Sequence, residues 1–207
     1  MPLANPQLTK FTTASPVIAS YNYTDVSEGT GNITFFLCKA TNDILSSQTI
    51  WSSQIVKTGT FTTPDEEYNF DLTEFNSSRT IKGTALFQMG SSFQDTEGGC
   101  ASNIYIRLLR VSGAVETALC ALTSMNAVNN ATSKIVATRN VILTETQFSR
   151  GDILRAEVTI VRNGTGTLTY EFGISPLNQD GTLIVPSSDS PATTTISKIT
   201  VPFKLDL

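Results

Sequence analysis

Between Ile153 and Arg162 the chain alternates with a period of two. Leu154, Ala156, Val158 and Ile160 are apolar, and the positions between them are largely polar. No glycine or proline interrupts the run, so it predicts a strand with one buried face. Leu168 to Phe172 alternates in the same way, and the glycine-rich Asn163-Gly164-Thr165-Gly166 between the two predicts a hairpin turn. With a last run from Ile196 to Leu207, the C-terminal third predicts a hairpin and a returning terminal strand.

The same pattern recurs upstream. Runs at Val17 to Tyr23, Asn32 to Cys38, Thr49 to Val56, Tyr68 to Leu72, Arg79 to Met89, Asn103 to Val111, Val115 to Leu122 and Lys134 to Leu143 predict strands. Turn residues separate them at the spacing that sandwiches and barrels show. Asn32 to Cys38 is nearly continuous in its apolarity and predicts a central strand. Gly83, inside a strand pattern, predicts a bulge or the close approach of another backbone. Ser112-Gly113 predicts a hairpin, whereas 91–101 and 123–133 read as polar loops. No segment keeps a 3.6-residue period with caps over three turns, so little helix is expected.

The expectation is an all-β chain: one jelly-roll-like antiparallel β-sandwich of about ten strands, spanning 17–207. Residues 1–16, spaced by Pro2, Pro6 and Pro16, read as an extended arm. Such an arm either reaches onto a neighbouring subunit or frays as a terminus.

Composition narrows the function. The 207 residues carry a net charge of −4, with Lys and Arg dispersed, which argues against a nucleic-acid partner. No apolar run reaches the length of a bilayer span, and Met1 to Pro6 lacks the order of a signal peptide. No membrane partner and synthesis in a cytoplasm are expected. There is no histidine, which removes the base of Ser-His-Asp and Cys-His catalysis and the imidazole ligand of zinc sites. Cys38, Cys100 and Cys120 are too widely spaced for a metal site; each reads as a buried small hydrophobe, with a Cys100–Cys120 disulfide left open. No metal and no cofactor are expected.

The remaining candidates have structural explanations. Asp65, Glu66 and Glu67 are adjacent, so in a strand they point to alternating faces rather than converge as a glycosidase pair, and they read as a solvated acidic turn before the Tyr68 strand. Asp95 and Glu97 lack the pattern of a calcium loop. Arg150-Gly151-Asp152 spells an adhesion tripeptide, but Gly-Asp before a strand is explained as a tight turn. Gly164-Thr165-Gly166 lacks the lysine and following helix of a phosphate loop. The N-x-S/T matches at Asn22, Asn32, Asn76, Asn130 and Asn163 are expected by chance in a chain this rich in Asn, Ser and Thr. Most aromatics sit in alternating strands and read as core; an exposed row including Trp51 or Tyr105 would instead suit a sugar. No catalytic, cofactor or metal residue is therefore assigned, and a non-enzymatic chain is expected.

Several segments carry a resemblance. The opening Met1 to Phe11, Pro16 to Tyr21 and Thr24 to Gly31 resemble virion structural proteins of tailed bacteriophages. The central Arg79 to Ala85, Asn178 to Thr182, Pro186 to Pro191 and the final Pro202 to Leu207 are similar to them too. The resemblance implies a jelly-roll-like, head-associated protein located in the virion, with the capsid shell and copies of itself as partners in a homo-oligomer such as a trimer. It implies a decoration or cement role, with the shell-forming capsid protein or a carbohydrate-binding fibre module as alternatives. It carries no catalytic residues to transfer.

Overall fold

The computed structural model describes residues 30–39, 41–47, 56–61, 65–95, 101–129, 133–163, 168–173 and 197–204. Expectations that fall on the N-terminal arm, on Val17 to Tyr23, on Trp51, on Cys100, or on the 174–196 connection lie outside them. Twelve strands are present: β1 (Thr30–Lys39), β2 (Asp43–Ser46), β3 (Val56–Phe61), β4 (Asp65–Asp71), β5 (Arg79–Asp95) and β6 (Ala101–Ser112), then β7 (Val115–Ala118), β8 (Thr123–Asn129), β9 (Ser133–Phe148), β10 (Ile153–Asn163), β11 (Leu168–Gly173) and β12 (Lys198–Lys204). No helix occurs among the described residues.

Alternation becomes burial most clearly in β10. Leu154, Ala156, Val158 and Ile160 are fully buried, while Arg155 and Thr159 on the other face are partly exposed. β10 pairs antiparallel with β6 along its whole length, from Ile153↔Val111 to Asn163↔Ala101, and on its other edge with β4 from Arg155↔Asp71 to Val161↔Asp65. These strands, with β7 and β8 on β6, form one wall. The other wall runs β3-β11-β5-β12-β1-β2, with β9 paired along β5. β1 is central there, as its apolarity predicts, between β12 and β2.

The two walls belong to one sheet. A single parallel pairing, Ile44↔Asp71, joins β2 to β4. On the far side 119–124 runs antiparallel beside 139–144, held by Thr144 N–H donating to the Leu119 carbonyl (2.7 Å) and Arg139 Nε to that of Ser124 (3.3 Å). The sheet therefore curls around one apolar core drawn from both walls, including Phe35, Phe87, Ile106, Leu154 and Phe203. Phe75, after β4, closes one end, edge-on to Phe148 (5.0 Å) and Phe203 (6.3 Å). The all-β class stands. The expected jelly-roll sandwich becomes a curled mixed sheet, because the β2–β4 seam makes the two faces continuous.

Other differences have physical causes. β10 and β11 do not form the expected hairpin: β10 pairs with β4 and β6, and β11 with β3 and β5, in the opposite wall. The polar 123–133 stretch holds β8, which pairs with β6 and puts one apolar side chain, Met125, into the core. β5 runs on to Asp95, where a loop was expected. The Ser112-Gly113 hairpin is present, with Ser112↔Val115 paired and Gly113 at φ 58°.

Gly83 marks the expected bulge, and what approaches it closely is a proline ring rather than a backbone. The β5–β9 register shifts between Ile81 and Gly83, and Gly83 has φ 123°. A Cβ there would lie 3.2 Å from Pro202 Cγ and 3.3 Å from its Cβ. Gly83→Ala combines backbone strain with a clash against a rigid ring, so it should cost about 1–3 kcal/mol. Gly113→Ala, with open space around it, should cost only about 1 kcal/mol. Urea midpoints of the two variants check the difference.

Candidate functional site

Among the described residues the most unusual polar feature is the inward-facing acid of β4. Asp65 and Glu67 face solvent, and Glu66, between them, is partly buried. The predicted alternation of the three acids is thus what the strand shows, although they lie within β4 rather than in a turn before it. Tyr68, two residues on, shares the inner face of Glu66. Tyr170 arrives on β11 from the opposite wall and is fully buried.

The three side chains form one cluster. The Tyr170 hydroxyl donates to Glu66 Oε2, the Tyr68 hydroxyl lies 3.1 Å from the same oxygen, and the two hydroxyls also bond each other. The rings meet edge to face with centroids 6.3 Å apart. Two phenols stand in for the water that a carboxylate would otherwise hold. Burial pushes both phenols above their ordinary value, and the Glu66 carboxylate adds to the rise. Neither tyrosine is poised to lose its proton near neutrality. The cluster donates hydrogen bonds and pins β4 to β11 across the core.

A second constellation covers the outer face of β4, β10 and β6. Glu157 is buried although it faces outward, and it accepts from Arg107 Nη2 at 2.7 Å and from the Thr159 hydroxyl at 3.3 Å. Arg155 makes a fork on Asp71, Nε to Oδ1 at 2.6 Å and Nη2 to Oδ2 at 2.8 Å, while its Nη1 reaches Glu116 Oε1 at 2.5 Å. Such bidentate pairs fix geometry as well as charge. Tyr105 lies in the same outer face, between Thr159 and Ser124 in register, and is half-buried. Phe35, Phe70, Phe87, Phe148, Phe203 and Tyr170 are core. Among the described residues the aromatics thus serve packing rather than an exposed sugar row.

The other sequence candidates resolve locally. Asp152 of the Arg150-Gly151-Asp152 tripeptide is buried, accepts the Ser149 N–H at 2.7 Å, and has Arg110 Nε 3.2 Å away. The Ser149 N–H holds its carboxyl below the ordinary range. Gly151 (φ 88°) donates to the Phe75 carbonyl, so the tripeptide is a turn, as read. Cys120 is a buried thiol outside any disulfide; it accepts the Leu108 N–H at 3.4 Å, and burial raises its pKa. Cys38 is buried too, its Sγ 3.6 Å from the Phe36 carbonyl. Among the described residues no group of three or more acids and cysteines could hold a metal ion. Asp95 ends β5; Glu97 and Gly164 to Gly166 lie outside the described residues.

No family model matches the chain, and no curated protein matches it in sequence. Solved structures share its fold. An aminopeptidase from a marine sediment Thaumarchaeota archaeon superposes with TM-score 0.58 at 6% identity, covering 86% of this chain and 37% of that one. An α-amino acid ester hydrolase superposes with TM-score 0.54 at 10% identity, covering 83% and 36%. This chain thus spans little more than a third of either protein. A structure of infectious bursal disease virus is also similar, at TM-score 0.33 and 13% identity over 72% of this chain and 33% of that one. The expectation of a non-enzymatic chain is corrected by the first two: the fold is one that hydrolases carry.

Tyr170→Phe removes a buried donor from a carboxylate and should cost about 1–3 kcal/mol. Stability should also fall in alkali. Unfolded tyrosines ionise near 10.0, whereas Tyr68 and Tyr170 keep their protons in the fold, so the stabilisation is complete below that pH and declines above it. Urea midpoints between pH 8 and 11 check this, and Tyr170→Phe should flatten the decline.

Proposed function

We propose that the chain is a structural protein of a bacteriophage virion, decorating or cementing the head by contacts of its outer faces with the capsid shell. The observation that carries this reading is the resemblance over both ends and the centre of the chain. Its central segment, Arg79 to Ala85, lies in the first half of β5, next to β9 and β12. Binding only the assembled shell would add its free energy to that state by mass action. The finer jelly-roll assignment belongs to the same reading: curled double-walled sheets leave few free edges and suit packed shells. The test is the protein inventory of purified particles. Quantitative mass spectrometry should find the chain in fixed stoichiometry to the major shell protein, and particles lacking it should break at lower temperature. Absence from particles would sink the reading, and a copy number equal to that of the shell lattice would make it the shell protein itself.

A second reading is favoured by the shared fold. Here the chain is the β-rich module of a hydrolase acting on amino acid esters or N-terminal residues of peptides. Incubating the chain, alone and together with the proteins that copurify with it, with α-amino acid esters and aminoacyl anilides separates the two. Turnover that survives repurification supports the second reading.

A further inference from the structure

The two walls turn opposite outer faces to solvent, and the described charges divide between them by sign. On β4, β6, β7 and β10 the outward positions hold Asp65, Glu67, Asp71, Glu116 and Glu157, answered by Arg107 and Arg155. Both arginines are already engaged, Arg107 by Glu157 and Arg155 by Asp71 and Glu116. Asp65 and Glu67 are exposed at the end of β4, and the contact shown for Glu67 is the neutral Asn69 amide at 2.8 Å.

The other wall is the reverse. Its outer face carries Lys82, Lys198 and Lys204, with Glu145 paired to Lys82 at 2.9 Å. Lys39 and Asp43 offset each other at the β1–β2 turn, 3.4 Å apart. Between these charges lie Thr34, Thr84, Thr138, Asn140 and Thr200, together with Leu86 (39% exposed) and Ile142 (81% exposed). Thr84 faces Ile142 and Leu86 faces Asn140, so the two apolar side chains are diagonal neighbours on adjacent strands.

We propose that copies of this chain associate head to tail, the lysine-bearing outer face of β1–β12–β5–β9 in one copy seated on the acidic outer face of β4–β10–β6 in the next. Charge decides the geometry. A two-fold contact would set lysines against lysines or carboxylates against carboxylates, and at a net charge of −4 random encounters are repelled. The heterologous contact alone brings opposite signs together, and it closes into a ring or continues as a filament. The uncharged threonines with Leu86 and Ile142 then fill the centre of the contact. This inference deepens the virion reading by naming the surfaces through which copies meet.

The test is sedimentation velocity on the full chain at low and high salt, with two charge-reversed variants. One is Lys198→Glu with Lys204→Glu; the other is Asp65→Lys with Glu67→Lys. The native chain should associate, and added salt should weaken it. Each variant alone should lose affinity by about tenfold or more, since its two faces then carry the same sign. A mixture of the two variants should regain association. Circular dichroism confirms that both are folded. A native chain that stays monomeric at low salt overturns the proposal. So does association that ignores both reversals but is lost with Ile142→Asp, which would indicate a two-fold apolar contact. The measurement uses no particles, so it can fail while the chain is found in virions, and the reverse.

Discussion

The register of β10 is the constraint on which the rest of the sheet depends. Its inner residues Leu154, Ala156, Val158 and Ile160 are buried completely, and its outer residues include the forked Arg155 and the buried Glu157. A slip of one residue would exchange the two sets, driving an arginine and a glutamate into the core and four apolar groups into water. The ladder on both edges passes this register on. β6 is fixed against β10 over its whole length and β4 over seven pairs, so both inherit the alternation of a single strand. What β10 fixes in β4 is the direction of Glu66. With Phe70 opposite Ala156 and Tyr68 opposite Val158, Glu66 opposite Ile160 has to face inward.

That inward acid needs a partner, and local sequence cannot supply one. Alternation announces that Glu66 departs from Asp65 and Glu67, but not which side is the core. Nor does it reveal that Tyr170, more than a hundred residues away, provides the hydroxyl. The reason lies in the connection after β10. Asn163 to Gly166 has the composition of a tight hairpin turn, and a hairpin would have laid β11 beside β10 in the same wall. The chain crosses instead to pair with β5 and β3. Glycine and threonine permit either course, and only long-range pairing selects one. β10, β1, β5 and β6 were legible because each carries enough inward apolar residues to declare its own face. β8 was not, since Met125 is a lone apolar residue in a small, polar run and cannot declare a face, and its pairing with β6 is long-range. The curl of the sheet is likewise absent from any local pattern, because the walls meet through long-range contacts, the Ile44–Asp71 pair on one side and the Leu119–Thr144 hydrogen bond on the other.

The outer charges follow from the same strand. Asp71 is the end of β4 that touches both the seam and the Arg155 fork, so the guanidinium neutralises the sheet where the two walls join. Glu157 is buried beneath its neighbours and would be costly unpaired, and Arg107 lies next to it in register. Balance is therefore best around β10 and decays along β4 toward Asp65, where no arginine is in register: Val161 faces Asp65, and Thr159 faces Glu67. An exposed excess of negative charge at that end is thus a consequence of how the two arginines are spent in holding the middle of the wall. Such an excess costs the isolated chain self-repulsion. Dissolved ions screen it in part, and the lysine-bearing outer face of the opposite wall is a surface of complementary sign.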